Sequence, residues 1–231
     1  MRGRPGQRGY TLIEIMTVIA IMALLMSIVM YGYMRYRTRA YYEGTKGLLD
    51  AIEAGLEQYK SDFGEYPPDG FDPKHPAMRV LEGSNTPQQI RGSACLLYYL
   101  GSRLLKEVEV GEEVEWKRVG PYMDFKESQV SGFGDMNQKL LDPRNEVLDA
   151  LGHPIHYQRV TVDPTTGKPF IVDQTPASVH TMPGLDAQTM HGPDPRRGPG
   201  GLVSKKEGAY DLWSHGADVT DTTDDITNWQ E

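Results

Sequence analysis

Gln7-Arg8-Gly9-Tyr10-Thr11-Leu12-Ile13-Glu14-Ile15-Met16-Thr17-Val18-Ile19-Ala20-Ile21 sets one carboxylate inside a run otherwise fit to cross a bilayer. From Tyr10 to Tyr33 the chain is Leu, Ile, Met, Val and Ala, broken only by small polar residues, tyrosines and Glu14. About 20 apolar residues of helix span a hydrocarbon core. An unpaired acid in such a segment costs on the order of 2.5–3.5 kcal/mol, so Glu14 predicts a positively charged partner in the membrane or in an assembly drawn from it. Working outward, Met1 to Gly9 holds Arg2, Arg4 and Arg8 with no acid, which retains this end in the cytoplasm. A secretory signal places small residues after its apolar core. Here Gly9 precedes it, so cutting there leaves the apolar segment on the mature chain.

Beyond the span, all-round apolarity becomes one-sided. Thr45, Leu48, Ile52, Leu56 and Tyr59 recur at helical spacing, with Glu43, Lys46, Asp50, Glu53 and Glu57 between them. The spacing predicts one helix from Tyr10 to about Lys60, roughly 75 Å long at 1.5 Å per residue. Its parts are a membrane or filament-core half over 10–33 and an amphipathic continuation over 34–62. Gly44, Gly47 and Gly55 each cost about 1 kcal/mol against Ala, so packing must hold the outer half. Gly64 and Pro67 stop the helix, the first as a left-handed cap and the second because proline cannot continue it.

Residues 63–148 read as an insertion. Thr86-Pro87-Gln88-Gln89 predicts a helix start, and Ile90, Ala94, Leu97, Tyr98, Gly101 and Leu105 carry an apolar helical face to about Leu105. Val108 to Trp116 alternates around Gly111, predicting a hairpin with its acids on the solvated side, and Gly120 to Phe125 a further extended piece.

In 149–231, Asp149-Ala150-Leu151-Gly152-His153-Pro154 is a turn feeding a strand. A second strand, Pro169 to Val172, returns through Pro164-Thr165-Thr166-Gly167. His153 and His156 sit in turn and strand with no Cys nearby, which argues against zinc. Gln174 to Gly208 is rich in Pro, Gly and Asp, predicting a mobile surface loop with Arg196 and Arg197 solvated, the alternative being that this pair docks on a partner. Tyr210 to Ser214 alternates like a strand. Asp218, Asp221, Asp224 and Asp225 follow within eight residues. Such crowding suits a hard cation such as Ca²⁺, though the spacing is not that of an EF-hand, and composition alone favours a flexible acidic tail.

Charge and cysteine content bound the function. The 231 residues carry 24 basic and 32 acidic side chains, a net charge of -8, and losing three leader arginines leaves 21 against 32, or -11. That surface repels a phosphate backbone and excludes nucleic acid as a partner. Cys95 is alone and flanked by Ala94, Leu96 and Leu97, so it packs as a small hydrophobe. The chain has room for one anchored domain. No nucleophile elbow, helical metal-ligand pair or phosphate loop marks an enzyme.

Gly9-Tyr10-Thr11-Leu12-Ile13-Glu14 resembles the processing site of the type IV pilin and type II secretion pseudopilin superfamily. The resemblance extends from Arg8 to about Pro67, and again over Asp149 to Tyr157 and Tyr210 to Trp229. It implies cleavage after Gly9 by a prepilin peptidase in the membrane, methylation of the new amine on Tyr10, and pairing of Glu14 with that amine on a neighbouring subunit. It also implies an α+β fold, a long helix packed on a small antiparallel sheet. Tyr210-Asp211-Leu212-Trp213-Ser214 with Gly216-Ala217-Asp218 and Asp224-Asp225-Ile226-Thr227-Asn228-Trp229 is similar to the calcium loop of the main pseudopilin. That implies Ca²⁺ held by Asp218, Asp224, Asp225, the His215 carbonyl and an oxygen of Thr220. Asp221 has no family counterpart, Val219 stands where the family has Gly, and Ala150 and Leu151 replace a Pro and Trp. Gly32 stands where the family helix commonly has a Pro. The implied protein is a structural one in the bacterial inner membrane, amino terminus cytoplasmic and head periplasmic. Its implied partners are lipid, other copies of itself in a filament, other pseudopilins and the inner-membrane secretion platform. The alternatives are a type IV pilus subunit, a plain single-span anchor and a membrane-tethered hydrolase.

Overall fold

The computed structural model describes residues 10–70, 92–111, 113–132, 135, 136, 139, 145–162, 169–170, 195–198, 201–202, 209–217 and 221–229. The proposed leader, the helix start at Thr86, the turn at Pro164–Gly167 and most of 174–208 lie outside them. The architecture is α+β. Helix α1 spans Leu12–Phe63, and the chain divides within it into a unit of residues 1–40 and a unit of residues 41–231.

In the first unit, α1 is long and apolar enough to cross a membrane, and its side chains are exposed throughout. Its serine and threonine hydroxyls are already satisfied. Thr17 Oγ1 donates to the Ile13 and Glu14 carbonyls at 2.9 Å each, and Ser27 Oγ to that of Leu24 at 2.7 Å. Polar side chains bonded back to their own helix bring little penalty in hydrocarbon. The helix runs unbroken through Gly32.

In the second unit, the expected stripe of Thr45, Leu48, Ile52, Leu56 and Tyr59 is the buried face of α1, joined by Leu49 and Gly55. At its end Gly64 N–H donates to the Lys60 carbonyl at 2.7 Å, with Gly64 at φ +82°, a conformation that costs other residues strain. Helix α2 spans Ser93–Gly101, shorter than the sequence predicts. Ser102 is extended, and Leu104 and Leu105 belong to the next strand because Leu104 finds Val119 as a cross-strand partner. Ser93 to Leu100 are buried on every side, which explains why a one-sided pattern misplaced the helix's end.

Strands β1 (Leu104–Val110) and β2 (Glu113–Val119) pair antiparallel around Gly111. The register opposes Glu107 to Trp116 and Val108 to Glu115, so acids stand on both faces rather than on one solvated side. The predicted extended piece at Gly120–Phe125 is not a strand. It folds back on α2, where Tyr122 and Met123 N–H donate to the Leu100 carbonyl. A 3₁₀ turn at Glu127–Gln129 follows.

Strands β3 (His156–Arg159), β8 (Tyr210–Ser214) and β9 (Ile226–Thr227) form an antiparallel sheet in that order. Two-stranded pairs join β4 (Thr161–Val162) to β5 (Pro169–Phe170) and β6 (Arg197–Gly198) to β7 (Gly201–Leu202). Tyr157, Tyr210 and Leu212 join the α1 and α2 side chains in one core. Tyr157 OH donates to the Pro67 carbonyl at 2.6 Å and Arg159 Nη2 pairs with Glu65 at 2.7 Å, docking the chain after α1 onto the sheet.

Burial pushes the Glu146 carboxyl up to about 8. A carboxyl raised in the folded state favours folding while it stays protonated, and that advantage is lost as pH climbs from about 4.5, its unfolded value, through about 8. Glu146→Gln, an isostere that does not titrate, should therefore match the wild type near pH 5 and exceed it near pH 9 by on the order of 1–3 kcal/mol. Thermal melts at the two pH values measure this, and parallel pH profiles would count against it.

Candidate functional site

Two regions hold the residues singled out in the sequence. The first is the start of α1. Thr11 caps the helix, and Glu14 lies in its first turn. Glu14 Oε2 accepts from Thr11 N–H and Thr11 Oγ1, both at 2.8 Å, while Thr11 Oγ1 accepts from Glu14 N–H at 3.3 Å. This is a reciprocal capping box, and its signal, Thr-x-x-Glu before an apolar run, stood in the sequence unread beneath the charge argument. The carboxylate is thus satisfied within its own chain while remaining exposed for a second donor. Gly9 lies outside the described residues, and Tyr10 is exposed just ahead of the helix.

The second region is the turn from β8 to β9. Of the five proposed ligands, Asp218 and Thr220 lie outside the described residues, as does Val219. The structure brings His215, Asp224 and Asp225 together. His215 Nδ1 is 3.3 Å from Asp225 Oδ1, and Asp224 Oδ2 accepts from Ala217 N–H at 2.9 Å. Asp221 is exposed and its Oδ1 accepts from Thr223 N–H at 2.9 Å. Gly216 has φ +64°, and a Cβ there would collide with the Asp224 carbonyl oxygen, so the loop closes over a position that only glycine fits.

Burial raises the Asp225 carboxyl above the usual carboxylate range; His215 opposes this, and Asp224 and Asp221 add to it. Asp225 Oδ2 is buried with no hydrogen-bond donor among the described residues. A buried carboxylate oxygen crowded by two further acids fits a hard cation, which takes carboxylate and carbonyl oxygens. Among the described residues no three His, Cys, Asp or Glu side chains gather closely enough to hold a metal by themselves. Such a site would need oxygens from Asp218 and Thr220 as well.

Two residues matter here to which the sequence reading gave no role in the site. Asp149 is the hub of the turn before β3. Its Oδ1 accepts from Leu151 and His153 N–H at 2.8 Å each, and its Oδ2 from Ser214 Oγ at 2.6 Å. His153 Nδ1 in turn lies 3.0 Å from the Gly216 carbonyl, tying that turn to the acidic loop. Aspartate at the head of a Gly-containing turn is the available signal. Arg196 is the second. Against the expectation of a solvated loop it is buried, 1% exposed, with Nη1 on Gln158 Oε1 and 3.2 Å from Asp211 Oδ2.

A Glu in the first turn of an exposed apolar helix, a Gly-ended basic stretch before it and a small antiparallel sheet are the marks of a pilin-like α+β fold. Residues 4–30 match the family described as prokaryotic N-terminal methylation motif. The type II secretion system core protein G of Klebsiella michiganensis is 41% identical over 64 residues, 28% of this chain and 45% of that protein. The core protein G of Escherichia coli K12 is 39% identical over 67 residues, 29% of this chain and 46% of its own length. The fimbrial protein EcpC of Eikenella corrodens is 36% identical over 63 residues, 27% and 41% respectively. The chain thus spans under half the length of the curated relatives it matches. No solved structure matches it. The relatives are named for secretion and fimbrial proteins, none for an enzyme.

Proposed function

We propose that this chain is a structural subunit of a type II secretion pseudopilus: made as a membrane-inserted precursor, cut after Gly9 by prepilin peptidase, methylated on Tyr10, and polymerised with copies of itself and other pseudopilins. The observation that carries the reading is Glu14, a carboxylate kept in the first turn of a membrane-fit helix within the matched methylation motif. Among the described residues its hydrogen-bond donors are the Thr11 N–H and hydroxyl. An amine on the first residue of a neighbouring subunit supplies the cation that the low dielectric demands, which favours leaving the membrane for the filament. The amino terminus is cytoplasmic before processing, the anchor lies in the inner membrane, and the head is periplasmic beside the secretion platform. Calcium, held by Asp218, Asp224, Asp225, His215 and Thr220, would fix the turn between β8 and β9 and with it the docking of Ile226 and Trp229. The unsatisfied, buried Asp225 oxygen supports this. The match to a fimbrial protein favours, as a second reading, a type IV pilus subunit with surface fibres.

Mass spectrometry of the polypeptide from its native membrane tests the proposal. The expected amino terminus is N-methylated Tyr10, and an intact Met1 would remove the amine on which assembly depends.

A further inference from the structure

A column of buried rings and charges links Arg196 to the acidic loop. Arg196 reaches the outer face of the sheet from the turn before β6. There it lies over the cross-strand pairs that the β3–β8 register sets, Gln158 with Asp211 and His156 with Trp213. The Arg196 and Asp211 side chains are both 0% exposed. Pinning a surface segment needs no more than an apolar side chain, since a buried ion pair is often replaced by hydrophobes without loss. What the guanidinium adds is geometry: its flat group stacks on an aromatic face while its fork meets a carboxylate. Its Cζ sits 4.4 Å from the Trp213 ring centre. His156 lies parallel to the same ring at 4.9 Å and 9°, His215 meets His156 edge-on at 4.8 Å, and His215 Nδ1 reaches Asp225 at 3.3 Å. Every member of this series is buried. This series of buried contacts is a continuous physical route between Arg196 and the acidic loop, whose coupling is what the test below measures.

We propose that Arg196 is a positioning residue for the cation loop: through Trp213, His156 and His215 it holds the Asp225 carboxylate in its binding position. Calcium occupancy and closure of the 195–198 segment therefore favour each other. The inference rests on calcium occupying the loop, and by reciprocity each event strengthens the other by the same factor.

The test uses the full chain in detergent. Melting curves with calcium and with chelator give the calcium-induced gain in melting temperature, and calorimetry gives the calcium Kd. Two variants interrupt the column at separate points: Arg196→Met with Asp211→Leu, which removes both charges together, and His156→Leu, which leaves them in place. Both should shrink the calcium-induced gain and weaken Kd about tenfold, while His156→Phe, which keeps a ring on Trp213, should restore them. Calcium should also slow trypsin at the Arg197–Gly198 bond in the wild type. Variants that melt lower in chelator yet keep the full calcium gain and Kd would make Arg196 merely structural and overturn the coupling, as would calcium-independent cleavage. If the wild type itself shows no calcium gain, the calcium reading falls and this inference with it, an outcome distinct from the first.

Discussion

Glu14→Ala should leave the chain in the membrane and abolish its fibres. The variant loses an acid that costs on the order of 2.5–3.5 kcal/mol in hydrocarbon, so membrane insertion is unimpaired or improved. It also loses half of the capping box with Thr11, about 1 kcal/mol at the start of a helix. A desolvated ion pair with a neighbouring amine is a larger quantity. Breaking such a pair costs about 3–5 kcal/mol, so assembled material should fall at least about a hundredfold. Glu14→Gln separates the two roles, because glutamine completes the capping box but carries no charge. It should insert and cap like the wild type and assemble like the alanine variant. Membrane fractionation with electron microscopy of overproducing cells reads both quantities. Normal fibres from Glu14→Gln would show that capping, not charge, is what position 14 supplies. Normal fibres from both variants would show that assembly does not depend on position 14 and would overturn the ion-pair reading.

Asp211→Ala is the variant with the largest expected effect on stability. Asp211 is fully buried against Arg196, and removing it leaves a guanidinium in the interior without that counter-charge. The expected loss is about 3–5 kcal/mol, which for a head of this size lowers the melting temperature by about 6–20 °C. Arg196→Met with Asp211→Leu, by contrast, should melt within a few degrees of the wild type, because no charge is left stranded. Circular dichroism of the full chain in detergent compares the three. A single variant as stable as the double would mean that Arg196 follows its lost partner out into water, so that the segment is only loosely held.

How far the sequence could be read depended on whether a segment's burial is one-sided. The outer half of α1 was legible because hydrophobic period and burial agree along it, and Gly64 because its cap has a sequence signature; β8 was legible from its alternation even though all five of its residues are buried. α2 was not, because Ser93 to Leu100 are buried all round and period says nothing about where such a helix stops. The hairpin was visible around Gly111, but its register was not. A shift of one residue decides which face carries Glu107 and Glu115, and local spacing does not set it. Arg196 was hidden for another reason. Which charged residue between Pro195 and Gly198 finds a buried counter-charge depends on a strand 15 residues further along the chain. At the acidic loop, composition supplied the crowding of carboxylates, while the glycine that lets the loop close, Gly216, acquires its meaning only with Asp224 packed over it.

The β1–β2 hairpin shows how such a chain avoids sticking to its copies in the wrong way. It is two strands wide, with Val114 and Trp116 about half exposed at 51% and 48%, and strand margins of this kind invite addition of a further strand. Yet Lys106 faces Lys117 across the ribbon, and Glu107, Glu113 and Glu115 fall on both sides of it. A third strand laid along either margin would have to desolvate these charged side chains. In the fibre proposed above, where many identical heads would crowd side by side, such guarded margins would disfavour amyloid-like ribbons between neighbours.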